Sequence, residues 1–206
     1  RSRKSSPARR PCATGPVSKT PERLVSTAKS VSSCVSAETQ RSVPMGEPGE
    51  IYRARADSIK QGINKYLWMA DKGYYGQYLY GRQHLNLSPR FEALGEALAV
   101  LFDVADANQA QSIFEKSPVT AYGVTCIYPQ IPGIPPYHNN GIWPFVQSYW
   151  NLAAAKTGNE QALVHGLAAI YRAGGLFLTN YENFVAQTGD FQGTEINSDR
   201  MLWSMA

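Results

Sequence analysis

The eight residues Tyr137-His138-Asn139-Asn140-Gly141-Ile142-Trp143-Pro144 bring together a phenol, an imidazole, two amides and an indole. Such groups grip a sugar: flat apolar faces stack on its C–H groups, and the amides and imidazole hydrogen-bond its hydroxyls. The run follows Ile131-Pro132-Gly133-Ile134-Pro135-Pro136, whose prolines exclude a helix. It leads straight into an apolar-periodic segment from Gly141 to Lys156. A rigid loop at the mouth of a helix is a favoured place for a binding site. An aromatic loop that merely plugs a helix end fits the same composition. Tyr137, His138, Asn139, Asn140 and Trp143 are therefore the substrate-binding candidates. Trp143 could equally be core, because Ile142, Phe145, Val146 and Tyr149 follow at helical spacing.

The elements that must position this loop are read from periodicity. Ile51-Tyr52, Ala54, Ile59, Ile63, Tyr66-Leu67 and Met69-Ala70 recur at steps of three and four, which predicts a helix from Glu50 to about Asp71-Lys72-Gly73. Tyr74 to Gly81 is too rich in Gly and Tyr for a helix and is expected to be a short extended or hairpin piece. Ser88-Pro89 reads as N-cap and first helical residue, with helix continuing to Val104. Further helices are expected at 109–116, 142–156 and 160–177, an extended run at 123–128, a turn at 183–187, and a last helix opening at Ser198. Apolar helices separated by short Gly/Asn breaks read as helical hairpins, with the aromatic and polar loops on one rim.

Composition divides the chain in two. Residues 1–50 hold ten Ser, six Pro and nine Lys/Arg against four acids, and no aromatic residue; all 23 aromatics lie at or after Tyr52. Residues 1–49 cannot bury enough apolar surface to offset their ordering entropy, so a disordered basic tail is expected. Its composition suits an out-of-frame or fusion remnant, a linker, or a basic arm; it lacks the aromatic interleaving and tight cation block of a nucleic-acid or membrane binder. Residues 50–206 form the expected folded domain. Cys12, Cys34 and Cys126 make no CxxC or disulfide framework, and His84, His138 and His165 are too scattered for a metal site. No apolar run reaches membrane-span length.

At this level residues 50–206 resemble the catalytic domain of six-hairpin, (α/α)6-toroid glycoside hydrolases, of the glycogen-debranching and processing-α-glucosidase type. The likeness is carried by Gly73-Tyr74-Tyr75 with Leu87-Ser88-Pro89-Arg90, by the Tyr137–Pro144 loop, and by Asp199-Arg200-Met201-Leu202-Trp203-Ser204-Met205-Ala206. It implies an all-α fold, a partial (α/α)6 toroid of helical hairpins with short extended pieces. Five helices and the start of a sixth suggest the C-terminal half of such a ring, whose partner would be the missing half or a second copy of the chain.

The resemblance implies inverting acid/base hydrolysis of an α-linked glucosyl or mannosyl glycan, with no metal or organic cofactor. The acid four residues before Trp is the base in related enzymes, which points to Asp199; an Asp in a first helical turn is also a common cap. Glu195, in a Gly/Thr loop, is the rival base, and Asp190 a weaker one. The general acid matches no residue convincingly. Glu92 and Glu96, among apolar neighbours on a helix, read as structural or solvated. Tyr74, Tyr75, Tyr78 and Tyr80 could form an outer sugar platform but suit packing better, and Gln83, His84 and Arg90 lie on the adjoining loop. Two other functions remain open: a catalytically incompetent carbohydrate-binding module, and a sugar epimerase, which would need paired histidines.

Overall fold

A computed structural model describes residues 49–202. The tail expectation for residues 1–48 and the Trp203–Ala206 end of the closing motif lie outside the described residues. The helices are α1 (Gly49–Tyr66), α2 (Ala93–Leu101), α3 (Ala107–Lys116), α4 (Pro144–Thr157) and α5 (Glu160–Phe177). Ten two-residue strands accompany them, the last following α5: β1 (Trp68–Met69), β2 (Tyr74–Tyr75), β3 (Leu79–Tyr80), β4 (Asn86–Leu87), β5 (Phe91–Glu92), β6 (Val119–Thr120), β7 (Gly123–Val124), β8 (Ile127–Tyr128), β9 (Gly141–Ile142) and β10 (Phe184–Val185).

These strands pair antiparallel as β1–β2, β3–β4, β5–β8, β6–β7 and β9–β10. The all-α partial toroid is thereby overturned: the described residues combine five helices with five small antiparallel sheets. The connectors are responsible. Their Tyr, Phe, Val and Ile residues suit extended backbone, and their glycines and prolines keep helix out, so the loops pair with one another instead of joining helices directly.

Helix α4 is the central element. Its buried side is Val146, Gln147, Trp150, Asn151, Ala153 and Ala154, and it packs on α2 and on α5. Ala97 of α2 and Ala153 of α4 have no exposed surface, and such small residues let helix axes approach closely. Trp150 stands edge-on to Phe91 at 6.2 Å and to Phe114 at 4.7 Å. Truncating a core ring of this kind to alanine costs about 3–5 kcal/mol. Lys156 reaches back from α4 to the end of α2, donating to the Leu101 carbonyl at 2.7 Å and the Asp103 carboxylate at 2.7 Å. A second, smaller core joins Ile142, Phe184 and Ala186 to Phe177, Tyr181 and Phe191.

Several boundaries move. Helix α1 ends at Tyr66 because Trp68-Met69 pairs with Tyr74-Tyr75. Its apolar stripe is not buried; the helix docks by its last turn, where Asn64 accepts from the Tyr75 hydroxyl at 2.8 Å and donates to the Val104 carbonyl at 2.9 Å. Helix α2 begins at Ala93, after Phe91-Glu92 has paired with β8, and its cap is Glu92 in place of Ser88. The Glu92 carboxylate accepts from the backbone N–H of Leu94 at 3.2 Å and of Gly95 at 2.7 Å. Within the turn expected at 183–187, Phe184-Val185 forms β10, and the chain turns directly after it, the Gly189 N–H donating to the Val185 carbonyl at 2.8 Å. No helix runs through residues 198–201.

Candidate functional site

The Pro-rich loop is folded around one side chain. Buried Asn139 accepts from the Ile131 N–H and donates to the Ile134 carbonyl at 2.9 Å, so its amide stands in for a missing strand. Asn140 takes the left-handed conformation, with φ of 57°, and donates to Gln130 at 3.2 Å. Gly141 follows because a Cβ there would run into the Tyr137 carbonyl. That same carbonyl accepts from the Trp143 indole N–H at 2.9 Å. Asn139, Asn140 and Trp143 are 4%, 3% and 1% exposed. Three of the five substrate-binding candidates therefore build the loop and do not present themselves to a ligand.

Tyr137 and His138 are what the loop displays. The exposed His138 ring stacks on Trp143 at 4.4 Å and 6°. Tyr137 stands edge-on to His138 at 4.6 Å and to Trp143 at 5.0 Å. Its hydroxyl donates to Glu182 Oε1 at 2.9 Å. Glu182 is buried, and its Oε2 accepts from the Ser198 N–H at 3.2 Å.

The same strip of chain brings in a second carboxyl group. The Glu195 N–H donates to the Pro136 carbonyl at 2.9 Å, next to Tyr137. Segments 182–183 and 195–198 are laced together by Asn197 donating to the Asn183 carbonyl at 2.7 Å and Asn183 donating to the Ile196 carbonyl at 3.0 Å. Desolvation, the bond to Glu182 and the charges of Glu182 and Glu195 together raise the Tyr137 phenol above its ordinary value. Burial of one imidazole face holds His138 below its ordinary value, against the opposing pull of Glu182. At neutral pH the displayed imidazole is neutral and can both donate and accept.

The other candidates lie elsewhere. Asp199 is exposed, outside any helix, and 3.5 Å from its neighbour Arg200. The helical-turn argument for Asp199 as a base therefore has no support. Asp190 closes a tight turn by accepting from the Gln192 N–H at 2.8 Å. Tyr75 is buried and Tyr74 packs edge-on to Phe91, whereas Tyr78 and Tyr80 are exposed and 6.2 Å apart. Gln83 and His84 are exposed between β3 and β4, and His165 lies on α5, away from the displayed loop in sequence. Glu92 and Glu96 are structural, not solvated. Glu182 was missed. Its only sequence signal was a polar Asn180-Tyr181-Glu182-Asn183 run directly after a helix.

Among the described residues no group of three His, Cys, Asp or Glu could hold a metal ion, and no helix is long and apolar enough to cross a membrane. Cys126 is buried, and desolvation raises its thiol far above the reactive range. No protein-family model matches the chain, and neither does any curated protein.

Proposed function

We propose that the rim of Tyr137, His138, Glu182 and Glu195 processes a carbohydrate, by glycoside hydrolysis of an α-linked glucosyl or mannosyl glycan. One observation carries the reading: the Tyr137 hydroxyl is tied to a buried carboxylate, Glu182, while a second and exposed carboxylate, Glu195, lies near enough to raise the same phenol. Carboxyl groups gathered about an aromatic platform are what glycoside hydrolysis requires. Tyr137 and the stacked His138 offer ring faces for sugar C–H groups and polar edges for its hydroxyls. In this reading Glu195 takes the proton of the attacking water as the glycosidic C–O bond breaks, and the leaving oxygen takes its proton from solvent. Glu182 acts through Tyr137 as a positioning residue, fixing the phenol at the edge of the platform.

The test is a panel of α-glucosyl and α-mannosyl oligosaccharides assayed with the full chain and with Glu195→Gln, Asp190→Asn and Asp199→Asn. Proton NMR reads the anomer first released. Hydrolysis with inversion is expected, and Glu195→Gln should lower turnover by about 100- to 10,000-fold while leaving glycan binding in place. Asp190→Asn and Asp199→Asn, both away from the rim, should leave turnover unchanged and serve as controls. Unchanged turnover in Glu195→Gln removes that residue from the reaction, and a panel that neither binds nor turns over overturns the carbohydrate reading. Saturable binding without hydrolysis makes the chain a binding module instead.

A further inference from the structure

A cavity of about 290 Å³ lies between the last turn of α1, the β2 segment and α2, apart from the rim described above. Ile63, Leu67, Phe102 and Val104 make it apolar on one side, and Glu92 and Glu96 bring two carboxyl groups to it. No Lys, Arg or His lines it. Glu96 is 1% exposed. Its Oε1 accepts from the Tyr75 N–H at 2.8 Å, but its Oε2 is buried without a partner. Both oxygens of Glu92 are already committed to the backbone of α2.

Two deficits coincide here. A buried oxygen without a partner costs about 1–3 kcal/mol. An apolar wall left facing solvent keeps its hydrophobic cost, and the cleft, partly open at Phe102, is large beside the roughly 150 Å³ that suffices for benzene. Water would satisfy Oε2 and leave the wall unfilled. A hydrocarbon would fill the wall and leave Oε2 unpaired. A carboxylate guest would bring a third acid to two already present, and a sugar would strand its hydroxyls on the apolar side. A compact apolar body bearing one ammonium group removes both deficits, and its charge opposes that of the two carboxyl groups.

We infer that this cavity binds a small primary amine as its ammonium ion, with Glu96 Oε2 accepting from the ammonium and the apolar wall enclosing the carbon body. The experiment titrates the full chain with 2-phenylethylamine and, separately, with its neutral counterpart 2-phenylethanol. Amide shifts of Tyr75, Gly76 and Gly95 report binding. The amine should give saturable shifts at these amides and bind at least tenfold more tightly than the alcohol. Glu96→Gln, which keeps an acceptor for the Tyr75 N–H, should erase that preference. Val104→Phe, which enlarges another lining side chain, should abolish binding of both probes and serves should Glu96→Gln fail to fold. Absence of saturable shifts with the amine would overturn the inference, leaving water as the partner of Oε2. Equal affinity for the two probes, or a preference that survives Glu96→Gln, would overturn it as well.

Discussion

Replacing Gly166 by alanine should destabilise the chain, whereas the same change at Gly175 of the same helix should stabilise it. A Cβ at position 166 would collide with the Asn151 carboxamide oxygen and come within 2.6 Å of Gln147 Nε2. These two side chains, 6% and 1% exposed, join α4 to its surroundings: Gln147 donates to Asn151 at 3.0 Å and accepts from the Val124 N–H at 2.8 Å. Making room means turning Asn151 away. That strands a buried donor and acceptor at about 1–3 kcal/mol and adds about 1–3 kcal/mol of overpacking. The better helix propensity of alanine returns only about 1 kcal/mol. The net loss is about 3 kcal/mol. At Gly175 nothing lies within 4 Å of the added Cβ, so only the favourable propensity remains. Urea unfolding reads both: with a slope of about 1–3 kcal/mol per molar, the Gly166→Ala midpoint should fall by about 1–3 M and the Gly175→Ala midpoint should rise slightly. A Gly166→Ala midpoint at or above that of the parent chain would refute the packing argument.

Two titrations should act in opposite directions. Desolvation raises the Glu96 carboxyl well above its ordinary value of 4.5, with the Tyr75 N–H opposing. The folded chain then holds more protons than the unfolded one above that value, so stability falls as pH rises through the folded pKa. Glu96→Gln should flatten this decline in a Tm series from pH 4 to 8, leaving the smaller slope that Glu92, also raised by burial, supplies; an unchanged slope would count against the assignment. His138, lowered from 6.5, contributes stability that is present above 6.5 and lost as pH falls toward its folded pKa. Its NMR titration should have a midpoint below 6.5, moved lower still by Glu182→Gln, and an upward movement would contradict the proximity of the two groups.

The helices were legible because long apolar periods and strong caps are local signals. The expected helices at 142–156 and 160–177 meet at Gly158, which takes the left-handed cap position, with Asn159 capping the second helix. The sheets were not legible. A two-residue strand has no period, and the partner of Phe91 is Tyr128, well beyond any local window. The displacement of the α2 start follows from this, since Ser88-Pro89 is a sound local cap that a long-range pairing overrode. At the candidate site the residue types were right and their division of labour was hidden. Asn139 and His138 are neighbours of equal chemical promise, yet one is enclosed by its own loop and the other faces out. Glu182 became visible only when β9–β10 and the lacing of 182–183 to 195–198 brought it to Tyr137.

The pairing distances also order the events of folding. β1–β2, β3–β4 and β6–β7 close within a few residues, but β9–β10 joins Ile142 to Phe184 across all of α4 and α5. Closing so long a loop is slow, because its entropy must be lost before any contact offsets it. The residues gathered around Tyr137 depend on that closure and on the smaller core of Ile142, Phe184 and Ala186, separate from the larger one around Trp150. The rim thus rests on the longest-range of these pairings, together with the Tyr137–Glu182 and Glu195–Pro136 bonds, whereas the α2–α4 helix pair has its own core.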